Sequence, residues 1–281
     1  CGDGPFSAAR SFTTLDSPSI LLVDDDDNNP NVRPQYAETL AALGFEYDVW
    51  DTNNSDNEPP ASLLSQYQIV IWFTGDEFGG AAGPGGAGES ALASFLDDTG
   101  CLLLTSQDYH YDKDFTSFMA NYLGLSSVSD DTQQSSVNGS GSVFGGMGGF
   151  SLSYPFNNWS DTVSAAAGAE VAFIGNEGNA AVNYGTENFR TAFMAFPLEA
   201  IGSVSDRGEV VTTFVTWCDE IFVTPCPADI DGNDGVVDTN DLLALLANWG
   251  GNGTGADIAP PLDVVDTADL LALLAAFGPC E

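Results

Sequence analysis

Basic side chains are nearly missing from this chain: Lys and Arg total 5 against 41 Asp and Glu in 281 residues, giving a formal charge of -36 with a single His. So few cations cannot neutralise phosphates, which excludes nucleic acid as a partner, and an anionic membrane surface repels such a chain. The charge also lies far outside the magnitude of about 2 to 8 that is ordinary for a small domain. Two bound calcium ions would still leave roughly -32. A salty or cation-rich medium is therefore expected, where screening over about 10 Å or less tempers the repulsion. No run of 18 apolar residues occurs, so no helical membrane span is expected. Hydrophobic residues nevertheless make up 43%, ample for a buried core and unlike a disordered acidic tail. At roughly one domain per 150 residues the length suggests two units.

The chain opens at Cys1 without Met, so removal of a leader is expected, and with it a location outside the cytoplasm: secreted, or on a bacterial cell surface. Cys1 itself is open to three readings, a lipid anchor, a disulfide or a free thiol. Cys226 and Cys280 bracket the last 55 residues and make the best single pairing, a closure that contributes a few kcal/mol. Cys101, opening an apolar strand, and Cys218, in a late helix, either pair or are simply buried.

From Ser19 to about Thr105 short apolar runs alternate with helical stretches, the signature of an α/β fold with a doubly wound, mostly parallel sheet. Strands are expected at 20–23, 47–50, 69–73 and 102–105, and helices at 34–43 and 89–96. Each strand ends in polar residues on the edge where such sheets place ligands. After a helix near 115–123, the stretch through Gly149 is rich in Ser, Gly and Asp and reads as long loops and edge structure. Further strands are expected at 171–174, 180–184 and 191–196, then a helix at 206–222. This gives an N-terminal arm (1–16), an α/β domain (17–223) and a C-terminal module (226–281).

The last segment repeats with a period of 28. Asp229, Asp238, Asp241, Leu242 to Leu246 and Gly250 recur as Asp257, Asp266, Asp269, Leu270 to Leu274 and Gly278. Calcium needs six to eight oxygens, and a loop with carboxylates at alternate positions before a helix supplies them. DIDGNDGVVDTNDLLALL offers Asp229, Asp231, Asp234, the Val236 carbonyl, Asp238 and Asp241, with Gly235 allowing the sharp turn. On these residues the segment Cys226 to Cys280 resembles a type I dockerin, a paired calcium-loop and helix module that plugs into a cohesin partner in secreted assemblies. The first loop runs 12 positions between its outer Asp residues where the resemblance implies 11. The second, DIAPPLDVVDTAD, has Ala259 and Leu262 where the first has Asp231 and Asp234. One competent site is expected, and a weaker or vacant one at Asp257, Val264, Asp266 and Asp269.

ILLVDDD, YDVWDT, QIVIWFTGD and GCLLLTSQD resemble the flavodoxin-like, class I glutamine amidotransferase-like domains of secreted bacterial proteins, over about Ser17 to Phe222. The resemblance implies a nucleophilic Cys on the turn after a strand, where this chain has Ser106, Gln107 and Asp108, so amidotransferase chemistry lacks its nucleophile. A phosphoacceptor receiver is a second comparison, but the Lys it requires is missing from the end of the late strand RTAFMAFP.

Asp24, Asp25, Asp26, Asp51, Asp76, Glu77 and Asp108 crowd the sheet edge. Either they converge on a cation, or they are solvated loop ends and helix caps. Trp50, Trp72, Trp159, Tyr109, Tyr111 and Phe156 include candidates for a sugar platform, with YPFNNWSD (154–161) the best exposed. Asn53, Asn138, Asn158 and Asn252 begin glycosylation sequons. The expected function is a non-catalytic, calcium-dependent extracellular assembly protein whose tail docks onto a cohesin-like partner or onto copies of itself in a polymer. The alternatives are a polysaccharide-binding surface protein and a hydrolase using Ser106, Asp108 and His110.

Overall fold

The computed structural model describes residues 19–53, 55, 57–222, 226–231, 235–251, 255–260 and 264–280. The N-terminal arm with Cys1, the expected ligand Asp234 and the sequon at Asn252 lie outside them. The described chain divides into two compact units between Ile221 and Phe222.

The first unit runs β1 (Ile20–Asp24), α1 (Arg33–Leu43), β2 (Tyr47–Asp51), α2 (Ala61–Leu64), β3 (Ile69–Phe73), α3 (Gly86–Asp97) and β4 (Gly100–Thr105). Then come α4 (Tyr109–Lys113), α5 (Ser117–Asn121), β5 (Leu125–Ser129), β6 (Ser136–Gly139), α6 (Gly141–Phe144), β7 (Phe150–Ser151) and β8 (Thr162–Ala165). It closes with β9 (Glu170–Gly175), β10 (Gly178–Gly185), β11 (Phe189–Met194) and α7 (Val204–Phe222).

Nine strands form one sheet in the order β2-β1-β3-β4-β11-β10-β9-β6-β7. The first five are parallel, and their order is the 2-1-3-4-5 winding of flavodoxin-like sheets. The other four are antiparallel, so the expected parallel sheet accounts for one half of what forms. The Ser/Gly-rich stretch read as loops supplies β6 and β7 at the far edge and β5, which pairs with β8 in a separate ribbon. Those strands are short and rich in Ser, Asn and Gly, with too few apolar residues to show a strand period.

β1, β3 and β4 are apolar throughout and buried along their whole length, because helices cover both faces. Side chains alternate across the sheet. Leu21, Val23, Val70, Trp72, Leu102 and Leu104 pack with Leu92, Phe95 and Leu96 of α3. On the other face, the ring of Tyr36 in α1 stacks 4.1 Å from Phe73, and Cys101 in β4 is bonded to Cys218 in α7. Helix α1 begins with Pro34 in its first turn and ends at Gly44, whose φ of 76° is the left-handed cap that glycine takes without strain.

The second unit contains β12 (Val236–Val237), α8 (Thr239–Ala247), α9 (Thr267–Ala275) and β13 (Gly278–Pro279). Its core is Ala228, Val237, Leu245, Ala256, Val265 and Leu273, with Ile230, Leu242, Ile258 and Leu270 against it. These fall into pairs 28 residues apart, so the sequence repeat is a repeat of core positions. β12 pairs antiparallel with β13, which brings the last residues back to the first loop. There the Cys226–Cys280 disulfide closes the unit.

Candidate functional site

The carboxyl edge of the parallel strands does not gather its acids into one centre. Asp24 is buried and its Oδ2 pairs with Arg33 Nη1 at 3.0 Å, while the same nitrogen reaches Asp51 Oδ2 at 3.3 Å. Asp25 is an internal tie: its Oδ2 accepts from Trp72 Nε1 at 2.9 Å and from the Gly83 N–H at 3.0 Å. Asp26 folds its own loop, taking the N–H groups of Asn28 and Val32. That loop packs against Gly75, which follows β3, beside the point between β1 and β3 where the strand order reverses. A Cβ on Gly75, which has a φ of 57°, would meet Asp26 Cβ at 2.8 Å.

Asp76 and Asp108 lie further along, in a pocket of about 370 Å³ lined also by Phe78, Tyr111, Asp131, Asn157 and Trp159. Thus the seven acids of the sheet edge split into an Arg33 cluster, structural ties and a pocket wall. Glu77 lies half-buried beside these, its pKa raised by burial and by Asp27. Among the described residues, three metal-capable oxygens come together only in the second unit. Of the two alternatives open for these acids, the geometry favours loop ends and ties over one convergent cation centre, because short Asp side chains at successive strand ends reach different neighbours.

Burial governs the electrostatics of this edge. It pushes Asp24 and Asp25 up to about 7, with Asp26 adding to the first and the Trp72 hydrogen bond opposing in the second. It pushes Asp76 to about 6. Asp108 rises to about 7 through burial, opposed by Gln107 and reinforced by Asp112, Asp76 and Asp131. Asp161, buried beside it, rises to about 9. Glu199, which the sequence analysis did not single out, is fully enclosed beneath the edge and takes the Tyr36 hydroxyl at 2.5 Å, and burial lifts it to about 7. Phe78, Asp131 and Asp161 were also missed. Phe78 directly follows TGDE, so its place at a strand end was a usable signal.

The hydrolase arrangement does not form. Ser106 Oγ is buried and engaged: Thr74 Oγ1 donates to it at 2.8 Å, and the N–H groups of Asp108 and Tyr109 do so at 3.3 and 3.0 Å. His110 Nδ1 turns to Asp130 Oδ1 at 2.6 Å. Ser106 therefore organises the turn into α4, the helix-capping role of a short hydroxyl residue. Of the aromatics, Trp72 and Tyr109 are core, Trp50 Nε1 donates to the Asn57 carbonyl, and Tyr111 and Trp159 line the pocket. Asn53 and Asn138 are exposed. Asn158 is half-buried, its Nδ2 donating to the Gln134 carbonyl at 2.8 Å.

In the second unit, Asp229, Asp231 and Asp241 each bring one carboxylate oxygen within 4.8 Å of the others. Asp229 Oδ2 accepts from the Gly235 N–H at 2.7 Å, but its Oδ1 is buried with no hydrogen-bond partner among the described residues. A hard cation fits there, supplying what that oxygen lacks. Asp241 Oδ1 takes the N–H groups of Ile230 and Asp231 at 2.7 and 3.0 Å, and Oδ2 takes that of Asp238 at 2.7 Å. Burial would raise its pKa, but these donors outweigh it and lower it. Asp238 instead caps α8, accepting from the Asn240 N–H, and Val236 sits in β12.

The second loop reproduces the scaffold without the ligand set. Asp269 takes the N–H groups of Ile258, Ala259 and Asp266, and Asp266 caps α9. Ala259 stands where the first loop has Asp231. Val264 is exposed, as Val236 is.

No protein-family model matches the chain, and no curated protein matches it. Among solved structures, a cytoplasmic protein from Salmonella typhimurium is similar over 69% of this chain and 97% of its own, at 13% identity and a TM-score of 0.50. A ThuA-like protein from Parabacteroides merdae matches over 73% of this chain and 91% of its own, at 11% identity and a TM-score of 0.46. A glutamine amidotransferase from Thermotoga maritima matches over 74% and 87%, at 13% identity and a TM-score of 0.41. At 13% identity the likeness to the Salmonella protein concerns the fold alone; the strand order above is what makes the first unit flavodoxin-like.

Proposed function

We propose that the chain is an extracellular assembly protein whose C-terminal unit is a dockerin-like module, stapled by calcium at Asp229, Asp231 and Asp241. The observation that carries this reading is a duplicated apolar stripe left exposed on the two short helices. Leu243 and Leu246 on α8, with Trp249 just past its end, are matched, 28 residues on, by Leu271 and Leu274 on α9, with Phe277 just past its end. Leu243 and Leu271 are 64% and 66% exposed, whereas Leu245 and Leu273 face inward. An apolar surface of this kind on a small unit is a binding face.

The partner's chemistry follows from charge. Residues 226–281 carry ten acidic groups and no Lys, Arg or His, so a second copy meets like charge. The fitting partner presents an apolar groove rimmed by Lys or Arg. Two disulfides, each closing a long loop, suit an oxidising compartment. Calcium would organise the first loop and thereby fix the approach angle of α8.

Calcium titration of the full chain, followed by hydrogen exchange, tests the staple: protection of 226–251 should rise with one ion bound. Capture from the secreted fraction of the source should require calcium, weaken with salt and fail for Leu243→Asp/Leu271→Asp. An empty loop in millimolar calcium, or capture indifferent to that double variant, overturns the reading.

A further inference from the structure

The docking role leaves the pocket at the carboxyl ends of β3 and β4 unused, and that pocket has the features of a built ligand site. Its walls carry three aromatic rings held partly in water: Phe78 and Tyr111 at 63% exposure and Trp159 at 40%. Asp76, Asp108 and Asp131 supply its charge, and among the described residues no Lys, Arg or His lines it. Asp108 is 6% exposed, and its Oδ2 is buried without a hydrogen-bond partner among the described residues.

Three ligand chemistries meet these carboxylates differently. A metal ion needs oxygens converging on one point, yet no three of these carboxylates bring oxygens within 4.8 Å of one another. A neutral sugar could stack on the rings and donate to Asp108, but it leaves the mutual repulsion of the three acids in place. A bulky cation answers every feature. Its charge offsets the acids, its N–H can donate to the carboxylate of Asp108 on the pocket wall, and ring faces attract cations, more strongly where water is excluded. About 370 Å³ lies within the range of small-molecule sites.

We propose that this pocket binds a small organic ammonium ion, its apolar body against Phe78, Tyr111 and Trp159 and its N–H group donating to Asp108. The inference is independent of what the C-terminal unit does. Calorimetry on the full chain, in calcium and at about 150 mM salt where diffuse attraction is screened, compares cyclohexylammonium with cyclohexanol, its neutral counterpart, and with cellobiose. One cyclohexylammonium should bind per chain, at least tenfold more tightly than either neutral probe. Asp108→Asn should weaken it tenfold or more. Trp159→Ala, at an exposed ring, should do the same without lowering the melting temperature. Absence of a one-to-one complex, equal binding of a neutral probe, or amine binding unchanged in both variants overturns the proposal.

Discussion

Asp241 and Asp269 provide a test in which the chain is its own control. Each carboxylate takes three backbone N–H groups, 2.7 to 3.0 Å away, from equivalent positions of its loop. A hydrogen bond to a charged acceptor is worth about 1.5 to 3 kcal/mol. Water can reach part of these loops once the side chain is gone, so the net loss on truncation to Ala is about 3 kcal/mol rather than the full sum. Without calcium, Asp241→Ala and Asp269→Ala should therefore weaken the second unit equally. Calcium breaks the symmetry, because only Asp241 shares its oxygens with Asp229 and Asp231. For a site with a dissociation constant on the order of 10 μM, about 2 mM calcium stabilises by roughly 3 kcal/mol. Asp269→Ala should keep that increment and Asp241→Ala should forfeit it. Hydrogen exchange of α8 and α9 in the full-length variants, in chelator and in calcium, reads both quantities, and Asp→Asn at each position is a milder version. Two variants that remain equal in calcium would refute the assignment of the first loop.

The two units should respond oppositely to acid. In the first, Asp24, Asp25, Asp108 and Glu199 are raised to about 7 and Asp161 to about 9, so the folded chain holds protons that the unfolded chain has released. Stability must then fall as pH rises from about 4 through 7, and for Asp161 on to about 9, and calorimetry should show this unit melting higher at pH 5 than at pH 7.5. Asp161→Asn should flatten that dependence. In the second unit the lowered pKa values of Asp241 and Asp269 put the stabilisation above about pH 4 and remove it below. Replacing Cys226 and Cys280 by Ser opens a loop of 54 residues and should cost about 4 kcal/mol, seen as lost exchange protection over 226–280 unless calcium is present. Ser106→Ala strands the N–H groups of Asp108 and Tyr109 and should destabilise the first unit by about 1 to 3 kcal/mol in urea titration.

Much of the α/β core was legible because its central strands announce themselves: IVIWF and GCLLLT are apolar without interruption, as strands buried on both faces must be. Both disulfides were among the expected pairings: Cys226 and Cys280 bracket the two copies of the repeat, while for Cys101 and Cys218 pairing and simple burial were both open. Strand ends were harder. The run Asp24 to Asp26 reads as a single charge cluster, but alternation sends the three side chains to Arg33, to Trp72 and into a loop. Nothing local in the sequence indicates that Asp161, more than 50 residues downstream of Asp108, comes to lie beside it.

The 28-residue repeat separates what folds the second unit from what could bind there. Positions identical or nearly so in both copies, such as Leu245 with Leu273 and Asp241 with Asp269, are the ones that fill the core or tie backbone N–H groups. Where the copies diverge, at Asp231 against Ala259, no buried contact is at stake, since Asp231 is exposed. Asp269 is thus accounted for by its three hydrogen bonds alone, with no metal invoked. An Asp at the end of an acidic loop is consequently weak evidence for a cation; the buried, unpartnered Oδ1 of Asp229 is stronger. The exposed stripe obeys the same logic in reverse. Leu243 and Leu271 fill no core, yet both copies keep a large apolar residue there, which a surface selected only for solubility would not require.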